Sequence, residues 1–145
     1  MRHHNLGNHP QIRDYGGAPF IFNITHATNM NRNFRTVLWT GKDLQLALMS
    51  IPPHEDIGAE MHPDVDQFLR IKNGRAKVYI GKSKAALQEV GYVDENYALL
   101  IPAGTWHNVH NETNRALQLY SIYAPPQHPA GTVHQTQADA ENEGH

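Results

Sequence analysis

Four side chains in this sequence have the types and spacing to hold a small charged target: Glu60, His62, Gln67 and His107. Glu60 and His62 are two residues apart, and side chains on an extended strand alternate faces, so both point the same way. Gln67 follows a short turn through Pro63 and opens Q-F-L-R-I-K-N-G, an alternating run that ends in Asn73-Gly74, a strong hairpin signal. His107 lies in I-P-A-G-T-W-H-N-V-H-N, Ile101 to Asn111, where Pro102 and Gly104 make a turn that aims it from a neighbouring strand. Neutral imidazole and carboxylate are the usual ligands for zinc and for first-row metals such as iron, manganese and nickel. Two histidines plus one carboxylate leave open positions for substrate or dioxygen. Gln67 is the weakest donor of the four, because a neutral amide oxygen offers a divalent ion less than a carboxylate does. Its other possible role is a hydrogen bond to a metal-bound water or to a substrate.

The two stretches resemble the paired motifs of the cupin superfamily, small β-barrels that bind a divalent metal in the barrel mouth. The first family motif reads roughly G-x5-H-x-H-x(3,4)-E-x6-G and the second G-x5-P-x-G-x2-H-x3-N. Pro102, Gly104, His107 and Asn111 stand at the spacing of the second, with Asn96 in place of its leading Gly. The first keeps His62 and Gly74, has Glu60 where the first His belongs and Gln67 where the Glu belongs. Its opening Gly falls at His54, and Gly58 sits four residues later. The resemblance spans roughly the middle two-thirds of the chain. It implies an all-β, cupin-like antiparallel β-barrel, a double-stranded jelly roll, with one mononuclear divalent metal (Fe, Mn, Ni or Zn) held by Glu60, His62, Gln67 and His107. Relative to the family pattern a carboxylate stands in place of the first imidazole and an amide in place of the carboxylate, so the four side chains keep a formal charge of minus one.

Positioning these groups requires short strands joined by tight turns, and the chain reads that way. Pro19 to Ile24, Phe34 to Thr40, Leu44 to Ile51, Gln67 to Asn73, Arg75 to Ile80, Tyr97 to Ile101, the segment around Val109, and Ala116 to Tyr123 are the expected strands. About eight or more of them point to a sandwich or closed barrel rather than a βαβ fold. Lys82 to Asn96 has no clean period and reads as a bridge, with a helical turn at Lys84 to Gln88. Residues 1–18 read as an irregular N-terminal arm, 19–126 as the barrel and 127–145 as a C-terminal tail. Tyr123 to His134 in the tail is able to fold back as a cover, and the rest is frayed or weakly helical.

The same strand pattern is compatible with a solvated face, and the turn residues of the two motifs are what favour a site. Asn111 is expected to pin its turn, His110 to face outward, and Asp66 to point away from Gln67. His54 and Glu55 read as solvated loop, and His128 and His134 as surface residues of the tail, with a place at the barrel mouth as the alternative if the tail folds over it. Trp39, Phe68, Trp106, Tyr120 and Tyr123 are expected to pack in the core, with a pocket lining as the alternative.

Composition narrows the function classes. The 145 residues contain no cysteine, so disulfides, thiolate metal sites and cysteine nucleophiles are excluded. A formal charge of -2 with no block of Lys and Arg argues against a nucleic-acid partner. Neither an apolar leader nor a run of eighteen apolar residues is present, which suggests a cytoplasmic protein without a membrane partner. The resemblance implies a metal-dependent enzyme of dioxygenase, sugar isomerase or decarboxylase type acting on a small molecule. The alternative is a non-catalytic module that binds a small molecule or a metal. A homodimer, with the N-terminal arm exchanged, is the expected assembly.

Overall fold

The computed structural model describes residues 11–143. Its elements run α1 (Ile24–Met30), β1 (Arg35–Thr40), β2 (Gln45–Ile51), β3 (Asp66–Asn73), β4 (Ala76–Gly81), a 3-10 turn (Lys84–Ala86), β5 (Gln88–Val93), β6 (Ala98–Ile101), β7 (Trp106–Asn111), β8 (Leu117–Ala124), β9 (Val133–His134) and α2 (Gln137–Asn142). One sheet has the order β6-β3-β8-β2-β1-β9 and the other β5-β4-β7, with every pairing antiparallel. This is the expected all-β, double-stranded jelly roll.

Period-two alternation sorts the side chains into layers. Leu69 and Ile71 of β3, Met49 and Ile51 of β2, and Leu117 and Leu119 of β8 meet Ala76, Val78 and Val109 of the smaller sheet in one buried core. Each such aliphatic side chain contributes roughly 1.5–3 kcal/mol by leaving water. Further along the same inward faces the residues turn polar: Gln45 and Gln67, flanking Tyr123, and Ser121 are all buried. One end of the barrel is thus an apolar floor and the other a polar interior.

The outer face of the six-stranded sheet is also covered. Leu46 and Leu48 of β2, with Leu38 and Tyr120, pack against Ile12, Tyr15, Phe20, Phe22 and Ile24. This corrects the expected strand at Pro19 to Ile24. Phe20, Phe22 and Ile24 do share one apolar face, but their backbone finds no strand partner. Asn23 instead caps α1, its side chain accepting from the His26 N–H at 2.9 Å. Within the arm, Tyr15 donates from its backbone to Leu38 O at 2.8 Å, so the described part lies on the chain's own sheet. The remainder of the arm, residues 1–10, lies outside the described residues.

Two other readings change. The expected bridge from Lys82 to Asn96 holds the 3-10 turn but also β5, an edge strand whose mostly exposed residues left no period to detect. The C-terminal segment belongs to the barrel's own packing: β9 pairs with β1, and Ala140 of α2 is buried in the main core. A capping box, in which Thr136 and Asp139 bond each other's backbone, starts α2.

Candidate metal centre

Glu60 and His107 are fixed face to face by their backbones. The Glu60 N–H donates to His107 O and the His107 N–H to Glu60 O, both at 2.9 Å, an isolated antiparallel bridge between the 56–60 segment and β7. Ile57 N–H to Val109 O at 3.0 Å continues the same pairing. His62 is held in turn by the Pro102–Gly104 turn, where the Gly104 N–H donates to His62 O at 2.9 Å. Gly104 adopts φ 84°, which favours a glycine. His54, where the first motif's glycine falls, has φ 61° and is the one non-glycine in that region among the described residues. The backbone keeps the glycine-like bend although the residue has changed. Asn111 closes β7 by donating to Ile51 O and Pro52 O at 3.0 Å each and to Arg115 O at 2.8 Å.

These supports bring three side-chain atoms together. Glu60 Oε1 lies 3.6 Å from His62 Nε2 and 3.7 Å from His107 Nε2. All three atoms are buried and lack a hydrogen-bond partner in the chain. The His107 Nδ1 lies 3.0 Å from Thr105 O, and a carbonyl can only accept, so Nδ1 carries the proton and Nε2 presents a lone pair. A lone pair facing a carboxylate oxygen in a buried site is repulsive unless a cation lies between them. Ligands about 2.1 Å from one ion at tetrahedral angles sit about 3.4 Å apart, close to the spacing here. The three residues therefore fit a divalent metal.

Gln67 enters from β3. Its amide nitrogen donates to Ser121 Oγ at 2.8 Å, and its oxygen, also buried, has no hydrogen-bond partner. It lies opposite Tyr123 on β8, and the Tyr123 ring packs edge-on against His62, centroids 5.7 Å apart.

Sequence reasoning missed Arg35 and preferred the surface for His128 and His134. Arg35 is fully buried, and its Nη2 donates to Glu60 Oε2 at 3.2 Å. The minus one counted over four side chains is thus balanced by an internal cation. Its signal in the sequence was a charge inside an apolar strand run, since buried arginines are rare unless paired. His128 and His134, expected on the surface, are both buried: His128 stacks edge-on with Tyr123 at 5.1 Å, and His134 pairs with β1. Their segment is fixed by Gln45, which donates to His128 O at 2.8 Å and accepts from the His128 N–H at 2.9 Å. Nothing in the tail's composition reveals that anchor. The other expectations hold for Asp66, which is exposed and takes the Ala103 N–H, and for His110, which reaches outward to Glu112. Trp39, Phe68 and Tyr120 belong to the outer-face cluster, whereas Trp106 lines the cavity described next.

A cavity of about 340 Å³ adjoins Glu60 and His62 and is walled by Met61, Trp106, Gln127 and Gln137, with Lys84 at its edge. A larger opening of about 580 Å³ near Lys72 and Arg115 and an apolar one of about 320 Å³ beside Phe68 and Leu100 contain neither histidine of the centre.

Charge is distributed to keep the carboxylate ionised. Burial alone would raise the Glu60 carboxyl, but His62, Arg35 and His107 outweigh it and hold its pKa at about 2. Burial lowers the His107 imidazole below its ordinary 6.5. Burial raises the Tyr123 hydroxyl, which therefore stays protonated. Both Glu60 and His107 bind more protons in the unfolded chain than in the folded one, so each withdraws stability on acidification. For the metal-free protein the His107 contribution falls away as pH drops below about 6.5, and the Glu60 contribution falls away between its ordinary 4.5 and about 2. Urea titrations at pH 7, 5 and 3 are expected to show falling midpoints, and a flat profile would contradict the assignment.

A jelly roll with Glu60, His62 and His107 gathered at the polar end of its interior defines a cupin, and the family model for the cupin domain matches residues 47–123. The chain belongs to the cupin family. It is similar to the uncharacterized protein YrkC of Bacillus subtilis, 58% identical over 129 residues that cover 89% of this chain and 69% of that one. The crystal structure of BH2720 from Bacillus halodurans matches 90% of this chain and 99% of that one at 55% identity, with a TM-score of 0.83. At the level of fold alone, the chain also resembles the S161A mutant of Bacillus subtilis oxalate decarboxylase: 17% identity, 61% of this chain and 23% of that one, TM-score 0.54. Among the described residues no helix is long and apolar enough to cross a membrane.

Proposed function

We propose that this protein is a mononuclear metal-dependent enzyme acting on a small polar molecule. The observation that carries this reading is the convergence of three buried atoms without hydrogen-bond partners, Glu60 Oε1, His62 Nε2 and His107 Nε2. Glu60, His62 and His107 would hold the ion, and Gln67 Oε1 would serve as a fourth donor or as an acceptor from what binds beside it. The bound ion, iron, manganese, nickel or zinc, would supply Lewis-acid or dioxygen chemistry. The cavity holds the reactant: Met61 and Trp106 exclude water, while Gln127, Gln137 and Lys84 offer polar contacts for hydroxyl, carbonyl or carboxylate groups. Tyr123, kept protonated, is able to donate a hydrogen bond but not to act as a base near neutral pH.

Elemental analysis of untagged protein purified without chelator tests this reading. About one equivalent of a single divalent metal is expected per chain, none in a His62→Ala, His107→Ala double variant, and a reduced but measurable amount in Gln67→Ala. Metal-free protein that does not take up any of the four ions on reconstitution would refute the centre and favour a metal-free binding module.

A further inference from the structure

We propose, resting on the metal reading above, that Arg35 and His134 form a clamp that makes Glu60 a donor through one oxygen, so that the C-terminal strand is part of the metal centre. Both residues lie outside residues 47–123, the part matched by the family model.

The argument starts from what an arginine can do. A guanidinium only donates, so the contact between Arg35 Nη1 and His134 Nδ1 at 3.1 Å requires Nδ1 to accept. The remaining nitrogen, Nε2, then carries the proton and lies 2.9 Å from Glu143 Oε1. His134 is thereby held in one tautomer, and it holds the planar guanidinium in one orientation. The other terminal nitrogen, Nη2, is directed to Glu60 Oε2. With Oε2 taken, Oε1 is the oxygen left to face His62 and His107. Rotation of the carboxylate toward a two-oxygen grip would break the contact with Arg35, which is fully buried.

The clamp is built by pairing residues far apart in sequence. Arg35 and His134 are directly opposite on β1 and β9, and the pairing is extended by Phe34 N–H to Gln135 O at 3.1 Å and Val37 N–H to Thr132 O at 2.9 Å. Beyond it, Gln137 of α2 donates to Asp56 Oδ1 at 3.0 Å, which ties the same C-terminal segment to the 56–60 segment that carries Glu60. The C-terminal residues thus reach Glu60 through Arg35 and its flanking segment through Asp56.

Zinc dissociation constants, measured on the full chain against a chromophoric chelator, test the clamp because its alternative has the opposite sign. A guanidinium that acted only as a charge would repel the ion, and its removal would tighten binding. A guanidinium that orients Glu60 gives weaker binding when lost, by about tenfold or more, as for other groups that hold metal ligands in place. Arg35→Met and His134→Leu are both expected to weaken zinc binding to that extent. His134→Asn is expected to restore near wild-type affinity, since its side-chain oxygen accepts from about where Nδ1 does. Unchanged or tighter binding in His134→Leu, or equal weakening in His134→Asn, would overturn the clamp. If Arg35→Met does not fold by circular dichroism, the His134 pair decides, because both exchanges leave the charge of a neutral imidazole unaltered. Wild-type protein that takes up none of iron, manganese, nickel and zinc would overturn the metal reading itself, a result distinct from a wild type that binds zinc and variants that do not differ.

Discussion

Arg35→Met is expected to destabilise the metal-free protein by about 3–5 kcal/mol, the usual consequence of leaving one member of a buried ion pair without its partner. Arg35 is fully buried and the Glu60 side chain is 11% exposed, so neither charge can turn to water. Burial alone would lower the Arg35 pKa, yet Tyr123 and Glu60 more than offset this, so the guanidinium is charged. Methionine fills much of the same volume but cannot balance the carboxylate. Adding Glu60→Gln is expected to recover a large part of the loss, because a neutral amide replaces the stranded charge. Urea unfolding in the presence of a chelator measures both. A loss under about 1 kcal/mol, or no recovery in the double variant, would show that the pair does not carry the balance assigned to it.

Asn111→Ala is expected to cost about 3 kcal/mol or more and to lower zinc affinity as well. The Asn111 amide donates to three carbonyls, Ile51 O, Pro52 O and Arg115 O, and its oxygen accepts the Thr113 N–H at 2.9 Å and Thr113 Oγ1 at 2.8 Å. Each buried group left unmatched costs about 1–3 kcal/mol. The Asn111 side chain, together with its backbone N–H, which donates to Glu55 O at 2.8 Å, binds the loop that follows β2 to the end of β7, and β7 carries His107 four residues earlier. Asn111→Asp discriminates between size and hydrogen bonding, since it keeps the shape but cannot donate to three carbonyls. It is expected to lose at least as much as Asn111→Ala. A thermal midpoint within a few degrees of wild type for either variant would refute the pinning role.

The sequence alone pointed to the class of fold and, through its resemblance to the cupin motifs, to Glu60, His62, Gln67 and His107, of which the first, second and fourth form the buried cluster. Alternation marked the strands, Asn73-Gly74 and Pro102–Gly104 marked the turns, and the two-residue spacing of Glu60 and His62 put them on one side, while His107 joined them only through the resemblance of both stretches to the paired cupin motifs. It did not reveal β5, whose exposed edge has no apolar rhythm, nor the unpaired extended run at Phe20 and Phe22, whose alternation is real but whose partner is a sheet face rather than a strand. Only the tertiary structure decided that Glu60 and His107 bridge backbone to backbone and that His54 keeps a glycine's bend. The same holds for Arg35, which balances the carboxylate, and for His134, 99 residues away, which fixes Arg35. Such contacts are set by which strands become neighbours in the sheet. Local propensity carries no record of that choice, so the candidate ligands were legible in the sequence while the groups that orient and neutralise them were not.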